Sequence, residues 1–246
     1  MIFSLVKKDL RGRYKGSVLG FLWTFINPLL QLVVYTIVFS FILKTNIERY
    51  YLYLFVALIP WIFFSSSITV GSASIVAQKD LIKKIYFPRM VIPISYVTSS
   101  FVNMLLCFIV IFAVIIVSGA GINFLALLTL PVIMLVEYIL ALGMAMLTSA
   151  ITVYFRDLEH ILGIVTMAWM YMTPIMYDKS IVPENLMPIF NLNPMTHVIE
   201  CYRAVLYEKM IPDLTTLLSA AGLGILILIV GILVFNKLQK RFAEDL

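Results

Sequence analysis

Long apolar runs alternate with short polar connections along this chain. Six of the runs approach or exceed the roughly 20 mostly apolar residues that a helix needs to cross a bilayer. They fall at 17–43, 51–75, 90–118, 124–153, 160–177 and 214–236. The fifth is short and stops at Thr173-Pro174, since proline cannot continue a helix. Ahead of the first run, Val6, Leu10 and Tyr14 form an apolar stripe opposite Lys7, Lys8 and Arg11. That pattern predicts an amphipathic helix over 1–15 lying in the membrane interface, in preference to a frayed basic tail. Ile2, Phe3, Leu5 and Val6 precede the basic residues, the reverse of the order in a cleaved signal.

Two connections have structure of their own. Residues 79–87 read as a short helix ended by Pro88, with Leu81, Ile82, Ile85 and Tyr86 at helical spacing. Lys83 and Lys84 near its C-terminus suit the helix dipole. The segment 178–213 contains Pro183, Pro188, Pro194 and Pro212, and the turn signal Asn193-Pro194 opens an apolar-periodic stretch. A helix from 195 to 208, dipping into the outer leaflet as a re-entrant element, fits it. The fold class is therefore all-α: a polytopic membrane protein with six transmembrane helices, forming one domain over 1–246.

Composition agrees. The 246 residues are 62% hydrophobic and 13% charged, whereas a soluble domain is about a quarter charged. The net charge of +5 needs no nucleic acid to explain it. Lys7, Lys8, Arg11, Arg13, Lys15, Lys79, Lys83, Lys84, Arg89, Arg156, Lys237, Lys240 and Arg241 fall on one side of the predicted layer. Lys44, Arg49, Lys179, Arg203 and Lys209 fall on the other. Basic residues collect on the cytoplasmic side, which places both termini there.

Catalytic signals are absent. There is no GxxxxGK[ST] to cradle nucleotide phosphates, and no HExxH, CxxC or GxSxG. Cys107 and Cys201 fit no ligand spacing, and His160 and His197 fall on opposite sides. No enzymatic activity, metal or cofactor is expected on this chain. Glu137, in the middle of the fourth run, is either a functional group or a hydrogen-bonded tie between helices.

Polar and aromatic residues share one face of two runs: Thr24, Asn27, Gln31, Tyr35 and Phe39 in the first, Thr166, Trp169, Thr173 and Tyr177 in the fifth. Aromatic rings with polar edges suit a sugar chain. The same faces also suit ordinary helix packing and interfacial anchoring. Gly12, Gly16 and Gly20, four apart, permit a close approach or a tight turn into the first run. The basic, aromatic segment at 79–89 has two readings as well: a loop that follows the charge rule and touches anionic lipid, or a docking element for a cytoplasmic partner.

LIKKIYFPRMVIPIS, beginning at Leu81, resembles the cytoplasmic coupling segment of permeases from polysaccharide-exporting ABC transporters, the class of O-antigen and teichoic-acid exporters. RYKGSVLGFLWTFINPLLQLVVYTIVFSFIL at 13–43 is similar to their first span. YFRDLEHILGIVTMAWMYMTPIMY at 154–177 and LNPMTHVIECYRAVLY at 192–207 are similar to their fourth-to-fifth junction and outer segment. The resemblance implies a homodimer paired with two copies of a separate ATPase that holds ATP and Mg, exporting an undecaprenyl-linked polysaccharide across the bacterial inner membrane. It further implies that Lys79, Leu81, Ile82, Lys83, Lys84, Ile85, Tyr86, Phe87 and Arg89 engage the ATPase. Arg156 and Asp157 would make a second contact, and the faces of the first and fifth spans would line the conduit. The alternatives are an exporter of lipid, drug or peptide, an ion-coupled carrier using Glu137, and an intramembrane enzyme, the last opposed by the lack of converging acid or histidine side chains.

Overall fold

The computed structural model describes residues 1–12, 16–42, 45 and 47–245. Tyr14 of the interfacial stripe, Leu43 at the end of the first run, and the basic residues Arg13, Lys15 and Lys44 lie outside the described residues. The described residues form helices and turns without strands.

In chain order the α-helices are α1 (Ile2–Gly12), α2 (Trp23–Thr36), α3 (Tyr50–Ala77), α4 (Lys79–Lys84), α5 (Val91–Val117), α6 (Phe124–Leu127), α7 (Leu130–Thr152), α8 (Leu158–Tyr171), α9 (Met187–Leu192), α10 (Pro194–Arg203), α11 (Leu214–Leu238) and α12 (Phe242–Asp245). A tight turn at Gly20–Leu22 leads into α2, and wider helical turns extend α2 over Ile37–Ile42 and α10 over Ala204–Glu208. The helix expected at 195–208 is thus present, opened by the Asn193 side chain accepting from the Met195 amide at 3.0 Å.

Five helical stretches are long and apolar enough to cross a membrane: Gly20–Ser40, Tyr50–Ala77, Val91–Val117, Phe124–Thr152 and Leu214–Arg241. At 14 residues, α8 is only about 21 Å long, short of a hydrocarbon core of about 30 Å. Pro174, which lacks an N–H, closes it early. The expected fifth span, at 160–177, is therefore a short helix followed by a turn. The stretch still joins the two ends of the bundle: the Tyr154 hydroxyl donates to the Leu238 carbonyl at 2.8 Å, whereas the Tyr53 hydroxyl donates to the Tyr177 carbonyl at 3.0 Å. Tyr53 lies at the start of α3 and Leu238 at the end of α11, on opposite ends.

α3 has no separate polar face and is mostly buried, as a central helix must be. α7 packs between it and α11. The α7–α11 contact depends on missing side chains: a Cβ on Gly143 would sit 2.6 Å from the Leu228 amide nitrogen, and one on Gly231 would collide with the Gly143 carbonyl. Close approach of small residues is how helices gain contact in lipid, where the hydrophobic effect does not drive them together. Gly12, Gly16 and Gly20 make no such contact. Gly16 and Gly20 instead adopt φ of 84° and 48°, so they turn the chain from α1 into α2.

A second, smaller core closes the end of the bundle that holds α1, α4 and α12. Ile75, Ile82, Ile92, Met146, Val153, Phe235 and Phe242 meet there. α1 lies along the start of α5, with Val6 buried and Asp9 accepting a hydrogen bond from Ser99.

Candidate functional site

Three groups of side chains bear on function, beginning with the basic end. α4 stops at Lys84, earlier than the expected 87, because Ile85 turns extended. That turn lets Phe87 fold back beside Ile82 and Met90 against the small core, where a continuous helix would have carried it past. Lys79, Lys83, Lys84, Ile85 and Tyr86 are left exposed, Tyr86 completely, while Leu81 is half-buried. Arg89 is not part of that free surface. Its guanidinium donates to the Gln239 carbonyl and lies 5.9 Å from the centre of the Phe242 ring. Tyr154 meets the same turn, through Leu238 and with its ring 6.3 Å from that of Phe242. The turn at 238–242 therefore braces both segments, and the exposed Arg156 and Asp157 follow Tyr154 at the same end.

The second group is the pair of polar helix faces. On α2, Asn27 and Gln31 are exposed amid exposed Leu30, Val33 and Val34, while Thr24 is buried. Thr24 and Asn27 border a cleft of about 150 Å³ that also receives Ser66 and Asn103. Tyr35 is half-buried, and Phe39 stacks on Tyr50 at 6.1 Å. The face on α8 points the other way. The hydroxyls of Thr166 and Thr173 bond carbonyls of their own helix, and both residues are buried. The Trp169 ring packs edge-on against Phe64 at 5.2 Å, and its N–H donates to Asn193 Oδ1 at 3.0 Å. Asn193 in turn donates to Thr173 Oγ1 at 2.9 Å. Tyr177 is half-buried and donates to the Tyr171 carbonyl at 2.6 Å. Within one chain, then, Trp169 and Thr173 pin α8 to the segment leading into α10, Thr166 is spent on its own helix, and α8 turns Ile161, Ile164, Val165 and Met167 outward.

The third group is buried at the opposite end. Glu137 is 0% exposed, with Oε2 accepting from the Tyr202 hydroxyl at 2.7 Å and Oε1 lacking a partner. Arg203 is 5% exposed; it donates to the Ile175 carbonyl at 2.7 Å and stacks 3.6 Å from the centre of the Tyr53 ring. Adjacent residues of α10 thus bind α7 and α3. Sequence reading finds Glu137 because a carboxyl in an apolar run stands out. It misses Tyr202 and Arg203 because nothing in the sequence names their partners.

The described residues thus form a helical bundle with an exposed basic plate at one end and the α9–α10 layer at the other, with five helical stretches long and apolar enough to cross a membrane. The chain belongs to the ABC-2 type transporter family, whose model matches residues 1–207. It is 33% identical to the O-antigen export system permease protein RfbA of Myxococcus xanthus, over 100% of this chain and 95% of that protein. It is 34% identical to the RfbA of Klebsiella pneumoniae with the same coverage. The polysialic acid transport protein KpsM of Escherichia coli is 22% identical over 96% of this chain and 93% of its own length.

Proposed function

We propose that this chain is the permease subunit of an ATP-driven exporter that moves a lipid-linked polysaccharide, an O-antigen or a similar glycan, from the cytoplasm across the bacterial inner membrane. Full-length similarity to two O-antigen export permeases supports the substrate class. Two copies build the conduit and two copies of a separate ATPase supply ATP and Mg. The basic end, with both termini, faces the cytoplasm, and the plate formed by Lys83, Lys84, Ile85 and Tyr86 seats on the ATPase. Phe87 and Ile82 root that plate in the small core, so a push on it reaches α3, α7 and α11.

The exposed polar pair Asn27 and Gln31 is the observation that carries the reading. Amide side chains on a lipid-facing helix are costly unless protein or water meets them. In a homodimer that closes along α2 and the outer face of α8, both amides meet the partner or the conduit. Glu137, sealed and bonded to Tyr202, acts as a tie in this account.

Proteoliposomes containing the chain with its ATPase, loaded with undecaprenyl-linked glycan from the host, test the proposal. ATP-dependent appearance of the glycan on the opposite face is expected. Transport that ignores ATP, or that carries lipids and drugs but no glycan, would contradict it.

A further inference from the structure

A polar cavity of about 540 Å³ opens at the end of the bundle away from the basic plate, within the size range of small-ligand sites. It lies between the turn at 178–179, the last turns of the α10 segment and the loop that leads into α11. Asp178, Lys179, Glu200, Arg203, Glu208 and Asp213 bring charge to its wall. We propose that this cavity binds a short neutral stretch of the exported glycan, forming a sugar subsite beside the exit. The inference rests on the export reading above.

Arg203 supplies the first argument. Its Nε–H is buried and has no acceptor among the described residues, and an unmet donor of this kind is expensive. The residue lines the cavity, so an oxygen atom of a ligand there is the acceptor that a small shift of the guanidinium would meet. The remaining wall then selects the ligand. Lys179 Nζ holds Glu200 Oε1 at 2.8 Å, which neutralises one carboxylate. Hydrogen bonds from Ser180 hold Asp178 below the usual carboxylate range, and those from Thr215 and Thr216 do the same for Asp213. Both stay ionised at neutral pH.

Four acids against two bases repel phosphate and other anions. The charged wall rejects an acyl chain. Among the described residues no three His, Cys, Asp or Glu side chains gather to hold a metal ion. A neutral polyhydroxylated ligand satisfies the whole set: its hydroxyls donate to the carboxylates, and its ring and hydroxyl oxygens accept from Arg203 and Lys179.

The test uses the complete transporter, this chain with its ATPase, in lipid nanodiscs. The probe is oligosaccharide released from the host's surface polysaccharide by mild acid. Saturation-transfer NMR is expected to detect bound sugar with the wild type. The exposed Glu208→Leu variant, which leaves the buried Arg203 in place, is expected to weaken binding by about tenfold or more, the loss of a charge-assisted hydrogen bond, and Glu208→Gln by less. Absence of binding to the wild type, equal binding to Glu208→Leu, or displacement of the sugar by sodium phosphate or calcium chloride would overturn the subsite. ATP-driven glycan export is read from the same preparations. Export without binding removes the subsite alone, whereas a preparation that exports no glycan removes the reading beneath it.

Discussion

At the scale of residues, a tie and a carrier group make opposite demands on Glu137. The Tyr202 hydroxyl donates to its carboxyl at 2.7 Å, and an amide oxygen accepts the same bond. Glu137→Gln is therefore expected to keep both stability and transport. Tyr202→Phe, which strands a buried acceptor, is expected to lose about 1–3 kcal/mol in thermal unfolding. An ion-coupled carrier would show the reverse, with Glu137→Gln abolishing transport. Asn193 is a second point of leverage because its side chain caps α10 and bonds both Trp169 and Thr173. Asn193→Ala is expected to cost about 1–3 kcal/mol, from a lost cap and stranded buried partners. The shift in melting temperature in nanodiscs measures it, and an unchanged value would remove the residue from the account.

At the scale of elements, punctuation was legible and partnership was not. Proline and basic residues mark the 79–89 segment, Asn193-Pro194 opens the outer helix, and Thr173-Pro174 announces a short fifth helix. Each of these is a local backbone effect, so it is written in local sequence. The faces of α2 and α8 were also legible as faces, but periodicity does not say what a face meets. Asn27 and Gln31 turn out to be exposed, whereas Thr166 and Thr173 are buried. Likewise Gly12, Gly16 and Gly20 have the spacing of a packing motif, yet the tight contact belongs to Gly143 and Gly231, 88 positions apart. Gly143→Leu is expected to force α7 and α11 apart and cost about 1–3 kcal/mol or more. Gly222→Ala, facing open space within α11, is expected to cost nothing and to stabilise slightly, since alanine is the better helix former. Equal effects in thermal unfolding would contradict the packing described here.

At the scale of the whole molecule, the bundle carries an exposed plate at one end and a bolted layer at the other. α4 and Phe87 connect the plate to the small core, and α3, α7 and α11 run from that core to the layer formed by α9 and α10. Tyr202 and Arg203 fasten the layer to Glu137, Tyr53 and Ile175, and Tyr50 and Tyr53 hold the adjoining turn at 176–177. Movement imposed at one end is therefore passed on through packed helices, which deform little. The central claim is that an ATPase imposes it through Lys83, Lys84 and Tyr86. Native mass spectrometry of the chain gently extracted from its own membrane tests this most directly, with wild type beside a Lys83→Glu, Lys84→Glu, Tyr86→Ala variant. The account predicts two permeases with two P-loop ATPases for the wild type, and permease without ATPase for the variant. A wild-type chain that arrives without an ATPase, or a variant that keeps its full complement, would contradict it.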